Sequence, residues 1–336
     1  MATIYDVAKR AGVSPATVSR VLSQSAVVAE PTRQKVMRAV DTLGYAPNST
    51  AKNLRTARTG KLLITVPDIS NPFFSQILQG AEDAAQREGY SVLFGDTQHD
   101  PCREERYASM LKCKEADGLI FLGHRLPEEA AAIVRTMSPR CAPIVNGCEY
   151  NPRLGIPSVH IDNAGAAEDA MAHLYTLGHR RIGIVTGPLV SPLSRERLRG
   201  AKGRAREHEA EDDLLVVPGD FSIESGVAAV ETLFNQDLPP TAIFCFSDKM
   251  AIGVVEGARR RGIRVPAELS VVGFDDIHFA LYTNPPLTTI AQPMRAIGEG
   301  TVHLLLRILG DDSVAPASQT LPHRLIVRDS TAPPPR

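Results

Sequence analysis

The 336-residue sequence lacks the patterns by which a chain usually declares catalysis. It has no GxxxxGK[ST] and no GxGxxG segment, so no glycine loop that cradles phosphates is indicated. It has no GxSxG nucleophile elbow and no histidine pair at metal-ligand spacing. His173 and His179 lie six residues apart on opposite sides of "LYTLG" and read as structural. No nucleophile–base pairing emerges. The expectation is a protein that is not an enzyme, with no catalytic residue, no metal site and no cofactor. Cysteine is sparse too. Cys102, Cys113, Cys141, Cys148 and Cys245 are odd in number and show no CxxC spacing. They read as free, mostly buried thiols rather than a disulfide or zinc framework. No apolar run approaches the roughly 18 residues of a membrane span. The start, "MATIYDVAKRAG", is charged early and has no secretory apolar core, so a cytoplasmic location is expected.

What is present is an uneven distribution of charge. Residues 1–60 carry nine Lys/Arg and three acids, a balance of +6, which leaves −7 on the remainder. A small basic head on an acidic body suggests that only the head meets a polyanion. The length suits two or three domains, and 43% apolar with 22% charged residues is ordinary globular composition.

Three helices are expected in the head. Thr3-x-x-Asp6 is a capping-box-like start for a helix over about 4–11, and Gly12 breaks it. Ser14 is a good N-cap and Pro15 suits the first helical position, giving a second helix over about 15–22. Pro31 opens a third with an apolar stripe of Val36, Ala39, Val40 and Leu43, ended by "LGY" and Pro47. Ala8, Gly12 and Val18 match helix-turn-helix spacing: a small residue at the crossing, a turn tolerant of positive φ, and an apolar residue packing back. A generic helical hairpin shares that pattern; the +6 charge directs the reading to DNA. The polar stretch "PNSTAKNLRTART" follows. Leu54, between Lys52 and Arg55, is either linker filler or an apolar wedge for a base step, with arginine following the groove.

From Leu62 onward, apolar runs such as "LLITVPD", "DGLIFLG", "RIGIVTGP" and "LSVVGFDD" alternate with amphipathic helical patterns. That alternation predicts α/β architecture with doubly wound parallel sheets. Residues 64–72 echo residues 184–192 at an offset of 120, with Gly80 and Gly200 following. Two similar halves would bring their strand-end loops together in a cleft, where open α/β sheets bind ligands. Asp96, Asp162, Asp248, Asp275 and Asp276 stand at strand ends, Arg197 lies inside a following helix, and Phe73 and Phe74 offer flat faces. Carboxylates, a guanidinium and aromatic rings suit a hydroxylated ligand. A strand-end Asp is equally often an N-cap, and either phenylalanine can be core.

The segments "ATIYDVAKRAGVSPATVSRVL", "LGYAPNSTAKNLRT", "GHRRIGIVTGP", "AIFCFSDKMAIG" and "VPAELSVVGFDD" together resemble the lactose-repressor (LacI/GalR) family of bacterial transcription regulators over essentially the whole chain. "VPDISNPFFSQILQG" and "GPLVSPLSRERLRG" are similar to its cytidine (nucleoside)-responsive repressors. The resemblance implies a helix-turn-helix domain (1–46), a hinge helix and linker (47–60), and an effector-binding and dimerisation domain (61–336) of two interleaved subdomains of periplasmic-binding-protein type. It implies a homodimer on a palindromic double-stranded operator and a small effector, a nucleoside or a pentose. Pro15, Ala16 and Arg20 fall on base-reading positions, Thr17 and Ser19 beside the DNA backbone, and Leu54 and Arg55 on the hinge wedge; Ser14, as the N-cap, turns the positive end of the second helix toward a phosphate. Phe73, Phe74, Arg197, Phe221, Ser247, Asp275 and Gln292 fall on effector positions. Ser191 and Leu193 replace an arginine and a threonine of purine-responsive members, which argues against a purine base. The "TAPPPR" tail cannot form a helix, so a dimer is expected rather than a coiled-coil tetramer. The body alone would suit a periplasmic-type sugar-binding protein; the basic head and missing signal peptide count against it.

The wedge reading has a direct test. Leu54→Ala should abolish specific operator binding in a gel shift and spare weak non-specific binding; equal loss of both would refute it.

Overall fold

The computed structural model describes residues 2–22, 28–45, 58–137, 142–310 and 317–335. Leu54 and Arg55 lie outside them. The chain divides into two compact units, Met1–Thr59 and Gly60–Arg336.

The first unit holds α1 (Ile4–Ala11), α2 (Pro15–Leu22) and α3 (Glu30–Leu43). Thr3 and Asp6 form a complete capping box, which satisfies two donors at the start of α1. Gly12 ends α1 at φ +66, a left-handed conformation that costs glycine nothing, and Val13 N–H returns to Ala8 O at 3.0 Å. Ser14 Oγ then accepts from Thr17 N at 3.2 Å to start α2. Val7, Ala8, Val18, Val21, Val36 and Ala39 close a small core between the three helices.

The second unit has two six-stranded sheets. The first half carries β1 (Lys61–Val66), β2 (Ser91–Asp96), β3 (Gly118–Phe121), β4 (Ile144–Gly147) and β5 (Ser158–Ile161). The second carries β6 (Ile182–Thr186), β7 (Leu214–Pro218), β8 (Ala242–Cys245), β9 (Ser270–Asp275) and β10 (Thr288–Ala291). Two three-residue strands, β11 (Gln319–Leu321) and β12 (Arg324–Ile326), add one edge to each sheet. The orders are β11-β5-β4-β3-β1-β2 and β12-β10-β9-β8-β6-β7, parallel except for β12. Both halves therefore reverse strand order at the same place, beside β1 and β6.

The helices are α4 (Pro72–Arg87), α5 (Pro101–Lys112), α6 (Glu128–Thr136), α7 (Asn163–Thr176), α8 (Pro192–Glu207), α9 (Ile223–Phe234), α10 (Asp248–Arg260) and α11 (Met294–Leu309). The chain changes halves after β5, after β10 and between β11 and β12. Helix α7 therefore packs in the second half against α8, and α11 in the first against α4. The 120-residue echo is a structural equivalence: α4 and α8 both begin with proline and are 16 residues long. A Cβ on Gly80 would lie 2.2 Å from Arg295 O, and one on Gly200 2.1 Å from Ala164 O. Each repeat glycine lets its helix touch the backbone of a crossover helix near its start.

Three strands escape the sequence pattern. β7 is an edge strand with alternating exposure, and β11 and β12 are too short to show any period. The thiols also differ from expectation. Cys148 and Cys245 are buried, but Cys102 and Cys113 are exposed because they sit at the two ends of α5. Cys141 lies outside the described residues. His173 and His179 hold the segment after β12: His173 Nε2 lies 3.0 Å from Thr331 Oγ1 and His179 Nε2 2.8 Å from Ala332 O. Among the described residues no helix is long and apolar enough to cross a membrane.

Gly200→Ala should destabilise the second unit by about 1–3 kcal/mol in urea unfolding, because the added methyl meets backbone. Gly203→Ala is the control. Its Cβ would find only Glu168 Oε1 at 3.9 Å, so the helix should gain up to about 1 kcal/mol. Equal effects of the two changes would refute the close-packing account.

Candidate functional site

In the head, Val18 and Val21 face the core of the three helices. Helical geometry puts Ala16 and Arg20, four residues apart, on the opposite side of α2. Both are exposed, as is Ser14; Pro15, Thr17 and Ser19 are half-buried. Ser14 Oγ also lies 2.9 Å from Thr17 Oγ1, so these two hydroxyls order the helix start. The exposed face of α2 thus offers small side chains at its start and one guanidinium near its end.

In the body, all seven effector candidates follow the carboxyl ends of strands: Phe73 and Phe74 after β1, Arg197 after β6, Phe221 after β7, Ser247 after β8, Asp275 at the end of β9 and Gln292 after β10. Such ends are where open α/β sheets bind ligands. Arg197 is the centre. It is 3% exposed. Its Nε donates to Asn163 Oδ1 at 2.9 Å and its Nη1 donates to Phe246 O. Its guanidinium lies 3.5 Å from the centroid of the Phe274 ring, a cation–π contact. Burial pulls its pKa down to about 10 against the pull of Asp275 and Glu149. Gln292 Nε2 donates to Asp275 Oδ1 at 2.8 Å, and both side chains are buried. Burial pushes Asp275 up to about 7, although Arg197 and Gln292 both favour the carboxylate.

The far end of the Phe221 ring lies against Gly187, where a Cβ would lie 2.0 Å from its Cζ. Phe73 and Phe74 pack edge to face, centroids 5.1 Å apart, and both belong to the core. They are packed as core side chains rather than offered as an exposed platform. Ser247 caps α10, its Oγ accepting from Met250 N at 3.2 Å. Backbone strain gathers in the same region: Cys148, Phe221 and Asp275 have φ of +70, +68 and +117. Each such residue costs about 1–3 kcal/mol, and this kind of strain concentrates at functional sites.

The other strand-end aspartates serve the fold. Asp162 caps α7, accepting from Ala164 N and Gly165 N. Asp248 is fully buried, where it accepts from Thr289 Oγ1 at 2.6 Å and Ile277 N at 2.8 Å. Asp276 pairs with Arg328 at 2.6 Å, and Asp96 accepts from Ile69 N and Gln98.

Glu149 carries no sequence signal, yet it joins the two halves. It follows β4 in the first half. Its Oε1 accepts from Ser191 Oγ at 2.8 Å and its Oε2 from Leu193 N at 3.3 Å, both at the start of α8 in the second. Burial pushes its carboxyl up to about 7 against these hydrogen bonds. Asp68 and Lys249 make a second bridge between the halves at 3.6 Å. Asn163, the partner of Arg197, is a further site residue without a sequence signal. Among the described residues no group of acids, histidines or cysteines can hold a metal ion.

Comparison with known proteins places both units of the chain in known families. Residues 3–48 match the family model "Bacterial regulatory proteins, lacI family", and residues 171–331 match "Periplasmic binding protein-like domain". The chain is 41% identical to the HTH-type transcriptional repressor CytR of Escherichia coli (strain K12), across 98% of this chain and 96% of that one. It is similar to the crystal structure of the lac repressor dimer bound to operator and the anti-inducer ONPF, with TM-score 0.88 and 30% identity over 98% of this chain and 99% of that one. It is also similar to a LacI family transcriptional regulator of Enterococcus faecium with bound ribose, with TM-score 0.72 and 26% identity over 81% of this chain and 99% of that one.

The raised carboxyls give a pH test. Between about pH 4.5 and 7 the folded protein keeps protons on Glu149 and Asp275 that the unfolded chain has released, so their contribution to stability falls as pH rises through that window. Burial lowers the pKa of His160, His179 and the half-buried His173, and these act the other way. The difference between wild type and Glu149→Gln isolates one group: relative to wild type, the variant should gain on the order of 3 kcal/mol between pH 4.5 and 8 in urea unfolding. A pH-independent difference would contradict the buried-carboxyl account.

Proposed function

The chain belongs to the lacI family of bacterial regulatory proteins, and on that premise we propose that it is a cytoplasmic, dimeric transcriptional repressor, not an enzyme, switched by a small hydroxylated effector. The observation that carries the reading is the outward face of α2. Ala16 and Arg20 stand opposite the buried Val18 and Val21 in a unit with a charge of +6. A two-fold pair of such helices would read the half-sites of a palindrome. Arg20 supplies a bidentate contact to guanine, while Pro15 and Ala16 offer only apolar contact, for example to a thymine methyl. Ser14, Thr17 and Ser19 position the helix on phosphates. Leu54 and Arg55 act as the minor-groove wedge.

The effector, a nucleoside such as cytidine or a pentose, binds between the halves of the body. Arg197, Asp275 and Gln292 present a guanidinium, a carboxyl and an amide to its hydroxyls, and Phe73, Phe74, Phe221 and Ser247 complete the site. The ribose in the Enterococcus faecium relative supports this class. Because Glu149–Ser191 and Asp68–Lys249 cross between the halves, a ligand that alters them changes the angle between the subdomains.

One experiment separates the parts. In a gel shift on a palindromic operator, affinity should fall steeply with salt. Arg20→Ala should cost about 1–3 kcal/mol of discrimination at one base pair per half-site. Asp275→Ala should leave operator binding intact and abolish the response to cytidine or ribose. Unchanged base preference in the first variant would remove the reader role, and an unchanged response in the second would move the effector site.

A further inference from the structure

The body holds a cavity of about 640 Å³, a size typical of small-molecule sites. Both halves build it. Tyr150, Arg153, His160 and Thr320 come from the first; Asn163, Leu193 and Arg195 come from the second. It has a flat aromatic wall. Tyr150 stacks on His160 with centroids 4.4 Å apart and planes 16° apart, and Tyr150 remains 46% exposed. The supporting ring is fixed at both nitrogens: His160 Nδ1 lies 3.1 Å from Ser158 Oγ and Nε2 lies 3.3 Å from Thr320 Oγ1.

Its lining carries two arginines and two acids, so the formal charges balance and what matters is where each group is engaged. Two acids line it, but both are committed. Asp162 caps α7, and Glu196 is paired with Arg199. Arg153 and Arg195 also line it, and among the described residues neither forms an ion pair with an acid. Arg195 is held in place by neutral groups, donating from Nη1 to Leu189 O and Val190 O at 2.8 Å each. Arg195 feels Glu149 only at longer range, so neither guanidinium is held by a direct ion pair. Two such guanidiniums beside a rigid aromatic face match one kind of ligand, since guanidinium grips phosphate or carboxylate and the ring stacks on a planar group.

We propose that this cavity is a second small-molecule site, for an organic anion that carries a flat ring, of the class of a nucleoside monophosphate. It is separate from the cleft around Arg197 but shares residues with it. Asn163 binds Arg197, and Leu193 N–H binds Glu149. An occupant therefore touches the first turn of α8, which carries Arg197 deeper along the same helix.

Calorimetric titration of the full-length protein with cytidine 5′-monophosphate tests the proposal. Saturable binding is expected, weakened by salt and reduced about tenfold or more in the Arg153→Ala/Arg195→Ala double variant. Tyr150→Ala should weaken the nucleotide but not ribose 5-phosphate, which has no flat ring. Asp275→Ala should leave nucleotide binding unchanged, which keeps this site distinct from the cleft. The proposal is overturned by a lack of saturable binding at millimolar nucleotide, by equal affinity in the double arginine variant, or by loss of binding in Asp275→Ala.

Discussion

The carbonyl oxygen of Ala164 occupies the space that a side chain at position 200 would need. That close approach seats α8 on α7, and the site depends on it. Arg197 is one helical turn before Gly200, and Asn163 directly precedes Ala164. Bringing the two backbones together delivers the guanidinium to the amide, at 2.9 Å. The first half repeats the arrangement with Gly80 against Arg295, and Gly298 meets Ile77 O from the other side. Each contact joins a helix of one half to a helix whose chain has just arrived from the other. Each half is thus clamped internally at an equivalent point.

The cost of that cleft is visible in its charges and its backbone. A buried guanidinium and two buried carboxyls are held with few direct ion pairs, so each is displaced toward its neutral form. Burying charge without a close partner is expensive, and proteins tolerate it where a ligand or a conformational change supplies the missing interaction. Left-handed backbone at Cys148, Phe221 and Asp275 adds to the cost. Phe274 offsets part of it, since its ring face attracts the cation that bulk water no longer solvates. The head has the opposite economy. Its helices are capped by Thr3, Asp6, Gly12 and Ser14, its core is small, and its polar groups face outward.

The head was the most legible part of the sequence, because its signals are local. A capping box, an N-cap followed by proline and a turn glycine act within four or five residues, and each specifies its own geometry. The parallel strands were legible for a related reason: burial on both faces requires continuous apolar runs, as in "RIGIVTGP" and "LSVVGFDD". Strands β11 and β12 were not, because three residues carry no period and their pairing is set by the edge they meet. Asp162 and Asp248 looked equivalent as residues at strand ends. Only the packing made one a helix cap and the other a buried brace between β10 and the segment after β9.

By itself the sequence determined the order of elements, the basic head on an acidic body, the repeat at an offset of 120, and the candidates at strand ends. These follow from covalent neighbours and from periodicity, which a linear chain displays directly. The tertiary structure alone decided which candidates meet. Glu149 and Ser191 are 42 residues apart, and Arg197 and Phe246 are 49 apart. No spacing rule links such pairs. They come together because the strand order reverses beside β1 and β6 and because the chain crosses between the halves, so that loops distant in sequence face each other across one cleft.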